Sequence, residues 1–424
     1  MHVRIRQSCR LCGSHALTLI VDLGSQMLAS TVSPLHDEDL SNFQLRKVPL
    51  ELVRCDPSRC ETGCGLVQLR HSYPPSLIYT NYWYESGINQ TMRTALLDIA
   101  TRASEYARLR QGDIVLDIGC NDGTLLNSYL VPGLDLVGFD PATNFSNRRE
   151  ESFTRVTDYF SKRLFEELRE KKKAKIITTI AMFYDLEDPI SFAREVSEVL
   201  SDDGIWILQM ADLPNMLINN MFDNICHEHL TYFHLAPMEY LLDKCGLEII
   251  DIEKNHVNGS SYRFFIKKKN GTIQREEDAK ERVRQMRISE FNLCLDTPVP
   301  YALFKENIDR NINDLQLFLG QARERGEKIL AYGASTKGNV LLQYCGFNES
   351  DIGGVADRNK RKWGWRTPGS NIPIISEDDA RAMKPDYLLV LPYHFLDEML
   401  QREDEFIRRG GRFIVPVPEI RIVP

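Results

Sequence analysis

The stretch 113-DIVLDIGCNDGTLL-126 limits the possible folds more than any other part of the chain. Three apolar residues, Ile114 to Leu116, run into Asp117. Gly119 and Gly123 then bracket a tight loop before the pattern turns helical at Thr124. Glycines at those points allow a sharp strand-to-helix turn and let a ligand approach the backbone closely. The unit therefore predicts an α/β domain built on a largely parallel sheet. A second strand, 136-LVGFDPA-142, ends in Asp140, an acid placed to pair with ribose hydroxyls. A nicotinamide dinucleotide would prefer Gly-x-Gly-x-x-Gly, whose second glycine admits a pyrophosphate. Cys120 and Asn121 stand in this loop instead, with a carboxylate on either side, which suits a ligand without phosphates.

Asp-x-Gly-x-x-x-Gly followed by an acid after the next strand resembles the S-adenosylmethionine site of class I methyltransferases. The resemblance implies Asp117, Gly119, Asn121, Gly123 and Asp140 as cofactor contacts, with Tyr184 from the loop after the fourth strand. The rest of the domain fits that reading. A helix over 94–110 precedes the loop, and 174-AKIITTIAMFYDLEDP-189 reads as the fourth strand and its loop. The fifth strand is 204-GIWILQM-210, and 247–255 with 261–269 form a closing strand pair. The aromatic stretch 79-YTNYWYESGINQTM-92 is either a packed surface segment or a ligand-facing loop carrying Tyr82 and Tyr84.

Between the fifth strand and its helix lies 222-FDNICHEHLTYF-233. A zinc-protease helix needs His-Glu-x-x-His, so that two imidazoles one turn apart share a metal. His227-Glu228-His229 is too tight, and Thr231 stands where the second ligand would be. The segment instead projects from the carboxyl edge of the sheet, over the ligand crevice.

Metal ligands are expected elsewhere. Five of the ten cysteines fall in the first 64 residues, and clustering in a reducing compartment points to metal before disulfides. Cys9-x-x-Cys12-Gly is a zinc-knuckle turn, and Cys64-Gly65 mirrors it. Cys55 is preferred as the remaining ligand, with Cys60 as the spare. Four thiolates leave no open coordination position, so the zinc is structural.

Residues 272–326 are charged and helical. A second doubly wound pattern follows, from 328-KILAYGA-334 to 412-RFIVPVP-418. Its 333-GASTKGN-339 loop offers backbone amides, hydroxyls and Lys337 at a helix start, as anion sites do. No P-loop is present, which argues against ATP hydrolysis. The formal charge of −8 gives no general basic face for nucleic acid. Without a membrane-length apolar run or a signal-peptide core, the expected compartment is the cytoplasm.

The whole order of zinc cysteines, cofactor loop, His-Glu-His insertion and Gly-Ala-Ser-x-Lys-Gly domain resembles the bacterial nucleotide-sugar C-methyltransferases. The resemblance implies a zinc-binding module over 1–78, a Rossmann-like methyltransferase domain over 79–271, and a helical connector with a C-terminal nucleotide-sugar-binding α/β domain over 272–424. It implies methylation at carbon 3 of a dTDP- or GDP-linked 4-keto-6-deoxyhexose by a monomer or homodimer. His229 is then the general base and Glu228 orients the site. The turn 256-HVNGSSYR-263 matches the family's Gly-Ser-x-Arg turn, which implies Asn258, Ser260 and Arg263 in the substrate site. Two departures bear on the sugar pocket: Cys226 replaces a tyrosine, and Ala181 and Asp185 replace an asparagine and a histidine. Asp185 can donate to an enolate only when protonated, which leaves Tyr82, Tyr84 and Tyr184 as candidate donors. The rival readings are oxygen or nitrogen methylation, which needs no α-proton base, and an inactive sugar-nucleotide sensor.

Overall fold

The computed structural model describes residues 3–32, 47–80, 82–145, 152–274 and 276–424; the side chain of Asn258 also lies outside the described residues. Among these, a seven-stranded sheet runs in the order Leu247–Asn255, Ser261–Lys268, Leu200–Ala211, Ala174–Ile180, Ile114–Ile118, Asp135–Phe139, Thr154–Val156. The pairings from Leu200–Ala211 to Thr154–Val156 are parallel, while Ser261–Lys268 is antiparallel to both its neighbours. The last strand therefore inserts between its two predecessors. Every residue of Ile114–Ile118 is buried, as a strand covered on both faces requires.

The loop after that strand is as tight as its glycines suggest. Gly119 takes φ +81°, and a Cβ there would lie 3.0 Å from the Met182 side chain. Gly123 takes φ +84°, and a Cβ would meet the Phe153 ring at 2.4 Å. The expected helix from Thr124 is only a 3₁₀ turn at Leu126–Ser128. Pro132-Gly133 turns the chain back into the next strand at Asp135 before a longer helix can form.

The amino-terminal cysteine region contributes the strands Leu17–Gln26, Val48–Cys55 and Val67–Leu69 to a second sheet. Its fourth strand comes from the His-Glu-His insertion: Thr231–Tyr232 pairs antiparallel with Val67–Leu69, placing Thr231 opposite Gln68 and Tyr232 opposite Val67. The carboxy-terminal sheet runs in the order Ile374–Ile375, Val355–Ala356, Ile329–Tyr332, Tyr387–Val390, Arg412–Val415, Arg421–Val423. Its pairings are parallel except the last.

The expected helical connector forms as Glu277–Asn292 and Val299–Glu324. One apolar cluster joins Phe304 and Leu315 of the longer helix to Val21 and Leu52, to Leu213 and Phe222, and to Leu389. Burying that shared surface ties the cysteine region, the insertion and the last sheet to each other. No helix among the described residues is long and apolar enough to cross a membrane.

Candidate active site

The carboxyl ends of the central strands open into a cavity of about 430 Å³. Asp117, Gly119, Asn121 and Asp140 line one part of it, and Asp185, Glu228, His229 and Lys337 another. Tyr82, Tyr84 and Tyr184 contribute to the wall. Residues from three distant parts of the sequence thus share one space.

Asn121 takes φ +50°, in the left-handed region that asparagine tolerates. Its backbone N–H donates to Asp140 Oδ2 at 2.8 Å, and the Ala142 N–H donates to Oδ1 at 2.9 Å. Each Asp140 oxygen keeps a lone pair for a ligand. Asp117 accepts from Thr178 Oγ1 at 2.6 Å, yet burial pushes its carboxyl up to about 7. Burial raises Asp140 as well. Two desolvated carboxylates beside glycine backbone fit a ligand that brings positive charge and ribose hydroxyls, as S-adenosylmethionine does. Replacing Asp140 with alanine is expected to weaken S-adenosylhomocysteine binding about 10- to 100-fold, from loss of charged hydrogen bonds. Titration calorimetry checks this, and an unchanged affinity would exclude Asp140 from the cofactor site.

The three histidines of the insertion have different surroundings. His227 is buried against Tyr73, edge to face at 5.2 Å, away from the cavity. His234 sits with Nδ1 3.3 Å from Glu290. Only His229 reaches the cavity, where the Tyr184 ring lies 4.2 Å from its own, centroid to centroid. His229 Nδ1 lies 2.9 Å from the Asn224 carbonyl. A carbonyl can only accept, so Nδ1 carries the hydrogen and Nε2 keeps its lone pair. Burial, reinforced by Lys337, pulls the imidazole down to about 3, so it is neutral at physiological pH.

Burial also pulls His227 down, to about 4. Both folded values lie below the ordinary 6.5, so the unfolded chain binds more protons in acid. Stability is therefore expected to fall as pH drops below about 6.5, and to keep falling towards pH 3. Denaturant titrations across that range, comparing wild type with His227→Gln, measure the effect.

Glu228 makes no hydrogen bond to His229 among the described contacts. Its carboxylate accepts from Tyr82 Oη at 3.3 Å and from Thr336 Oγ1 at 3.4 Å. It thus joins the aromatic segment to the Gly-Ala-Ser-Thr-Lys-Gly loop. Tyr82, expected as an enolate donor, has its proton directed at Glu228.

Four expected site residues lie off the cavity wall. Cys226 is fully buried in the apolar cluster under the insertion. Ser260 donates to the Asp212 carboxylate. Arg263 is held by Gln209 at 2.9 Å, Asp98 at 2.7 Å and Glu253 at 3.1 Å, so its charge is satisfied inside the sheet. Gly123 packs under Phe153. Replacing Arg263 with methionine is expected to destabilise the fold by about 3 kcal/mol while leaving KM for the acceptor unchanged. Paired denaturation and kinetic measurements separate the two effects.

Conversely, Tyr79, Asn224 and His394 line the cavity and were not anticipated. Asn224 lies inside the quoted insertion, but no periodicity marks which residues of an irregular loop turn inward. His394 arrives from the loop after Tyr387–Val390, with its basicity lowered by burial and Lys337. A histidine just beyond a parallel strand was the available signal.

The cysteines form a separate centre. Cys9, Cys12, Cys55 and Cys64 have all four sulfurs within 4.8 Å of one another, with Cys9–Cys64 at 3.5 Å and Cys12–Cys55 at 3.4 Å. Tetrahedral zinc with bonds of about 2.3 Å needs sulfurs roughly 3.8 Å apart, which this donor set fits. Gly13 at φ +75° and Gly65 at φ +80° turn the chain behind their cysteines. Cys60 stands outside, its sulfur 3.1 Å from Thr62 Oγ1.

This fold, cavity and cysteine centre define a Rossmann-like methyltransferase carrying a zinc module. Family models match in the same order: "Putative zinc binding domain" over residues 9–79, "Methyltransferase domain" over 88–252 and "C-methyltransferase C-terminal domain" over 256–418. The C-methyltransferase NovU of Streptomyces niveus is 30% identical over 427 residues, covering 99% of this chain and 98% of that protein. The chain belongs to this C-methyltransferase family, with S-adenosylmethionine as methyl donor and a structural zinc. Among solved structures, the plantazolicin methyltransferase BpumL is 16% identical, covering 42% of this chain and 86% of its own, with a TM-score of 0.34. An S-adenosylmethionine-dependent methyltransferase from Clostridium acetobutylicum is 13% identical, covering 41% and 91%, with a TM-score of 0.33.

Proposed function

We propose that this enzyme methylates carbon 3 of a nucleoside-diphosphate-linked 4-keto-6-deoxyhexose through an enolate, with His229 as the base. The observation that carries the reading is the His229 tautomer. Its Nδ1–H is tied to the Asn224 carbonyl, and its free Nε2 belongs to a cavity that also holds Asp117 and Asp140. Methylation of oxygen or nitrogen also releases a proton, but none from carbon, so the atom that receives the methyl group decides between the readings.

S-adenosylmethionine, when bound, supplies an electrophilic methyl group. Asp117, Asp140 and the backbone of Gly119 and Asn121 would hold it. The chain's own work is to bring the acceptor carbon to that end of the cavity and remove its proton. A hydrogen next to a ketone is acidic enough for an imidazole if the oxygen's developing charge is stabilised. The pair from the C–H bond then forms the carbon–carbon double bond, and the carbonyl pair moves to oxygen. Tyr184 against the His229 ring limits its rotation.

A second cavity of about 210 Å³ supports the sugar-nucleotide part of the reading. It lies along Gly333, Ala334 and Ser335, with Arg358 and Lys362 in its wall, and shares Tyr82, Tyr84 and Thr336 with the first. Backbone amides at the start of the helix Thr336–Tyr344 and Arg358 suit a diphosphate, while Lys362 is already paired with Asp357 at 3.6 Å. A ligand spanning both cavities would extend its sugar towards His229.

The test is transfer of a 13C-labelled methyl group to a panel of dTDP- and GDP-linked keto-deoxyhexoses, with products read by NMR. A new carbon–carbon coupling to carbon 3 is expected. A label attached to oxygen or nitrogen would overturn the proposal.

A further inference from the structure

The enolate needs a hydrogen-bond donor, and two of the tyrosines on the cavity wall are already engaged. Tyr82 donates to Glu228. The Tyr79 hydroxyl is directed at the Glu228 carbonyl, 3.4 Å away, and at the Asp185 carboxyl. Asp185 is different. It lines the cavity, and its Oδ1 is shut off from solvent with no hydrogen-bond partner. An unpartnered carboxylate oxygen there, facing Glu228, would be costly to keep charged.

We propose that Asp185 works as a neutral carboxylic acid whose O–H donates the hydrogen bond that holds the substrate's enolate oxygen. The role rests on the C-methylation reading above; the protonation does not.

The two acids compete for one negative charge, and their partners decide where it goes. Glu228 is supported by hydroxyls of Ser30, Tyr82 and Thr336, whereas Asp185 is supported by Tyr79 alone. Burial raises Glu228 too, but three hydroxyls oppose it, so the negative charge is held at Glu228 in preference to Asp185. Burial and the facing Glu228 push the Asp185 carboxyl well above its ordinary 3.8. Its other titratable neighbours are Tyr82, Tyr184, Tyr232 and Cys226, and the acids in turn raise each of them. None of these brings a positive charge that would ionise Asp185. Two carboxyl groups held in one apolar site with different donor sets is how an acid stays protonated at neutral pH. No proton leaves Asp185 in this role. It shares its hydrogen with the oxygen while His229 takes the carbon-bound proton, and keeps it when the carbonyl re-forms.

Two measurements test this. Infrared difference spectra of the full-length protein, wild type minus Asp185→Asn at neutral pH, should show the carbonyl stretch of a protonated carboxyl. Finding only carboxylate bands overturns the proposal, whatever the substrate proves to be. Solvent deuterium exchange next to the ketone of the nucleotide sugars, with S-adenosylhomocysteine bound, then tests the role. Asp185→Asn keeps a donor and should retain exchange within about tenfold of wild type. Asp185→Leu has none and should lose about 100-fold or more in rate with S-adenosylhomocysteine affinity unchanged. Equal losses in both variants, or no loss in Asp185→Leu, overturn the donor role while wild-type exchange upholds C-methylation. Failure of exchange in wild type overturns the reading and the role together, and the infrared result then speaks for protonation alone.

Discussion

Replacing His229 with alanine is expected to lower turnover about 10³-fold, the scale of a lost general base, with S-adenosylhomocysteine affinity nearly unchanged. The base form is not in short supply. With its imidazole held down to about 3, His229 is neutral throughout the working pH range. The activity profile should therefore show no acidic limb near 6.5 from this residue. Low basicity also means His229 cannot drive enolisation alone, so the oxygen's charge must be stabilised as it forms. The alanine variant should lose exchange at the carbon next to the ketone as well as methyl transfer. If exchange and transfer both survive, the base lies elsewhere or the acceptor is not carbon. Glutamine at 229 sharpens the result, since it can hydrogen-bond to the Asn224 carbonyl without acting as a base. An inactive but fully stable glutamine variant would separate chemistry from loop packing.

The parts of this site that were legible in advance are those whose residue type is forced by backbone geometry. Gly119 lies at the end of a buried strand with φ +81°, and the acids at 117 and 140 follow from the strand order. Cys9-x-x-Cys12-Gly and Cys64-Gly65 were readable for the same reason. The choice of Cys55 over Cys60 depended on strand register: Cys55 ends the strand Val48–Cys55, with its N–H bonded to the Leu66 carbonyl, while Cys60 falls on the turn beyond. What could not be read is which side chains of irregular segments face inward. Ser260 and Arg263 flank a real turn, but two of the partners that occupy them, Asp212 and Asp98, lie far away in sequence, and Glu253 reaches Arg263 only through the strand pairing. The insertion of the final strand between its predecessors is likewise a tertiary choice, since both orders bury the same alternating residues. Asp185 shows the same limit. A carboxyl group looks like a poor donor until a second acid with better hydrogen bonds is seen beside it.

Removing the zinc is expected to abolish turnover while sparing cofactor binding, although four thiolates leave the metal no chemistry of its own. Cys55 and Cys64 lie on either side of the turn between Val48–Cys55 and Val67–Leu69. The second of those strands holds Thr231–Tyr232, and the Leu69 N–H donates to the Leu230 carbonyl at 2.9 Å, one residue beyond His229. The proposed base, His229, is thus secured through a strand whose own position depends on the cysteine centre. Asp117, Gly119 and Asp140 belong to the central sheet, which shares an apolar core with Cys9, Cys55 and Leu66 but is held by hydrogen bonds among its own strands. A Cys12→Ser variant, or wild type treated with a strong chelator, should therefore keep S-adenosylhomocysteine affinity within a few-fold. Its Tm should fall by about 10 °C or more, because metal binding contributes directly to folding. Turnover should be lost in proportion to zinc content. Cys60→Ser, made alongside, should retain zinc, stability and activity. Full turnover by zinc-free protein would show that the insertion holds His229 without the cysteine module. Loss of cofactor binding in step with zinc would show instead that the module supports the central sheet as a whole. Calorimetry for the cofactor, run with a zinc assay and a turnover assay on the same samples, distinguishes these cases. The expected pattern is a protein that binds its methyl donor normally and cannot position its base.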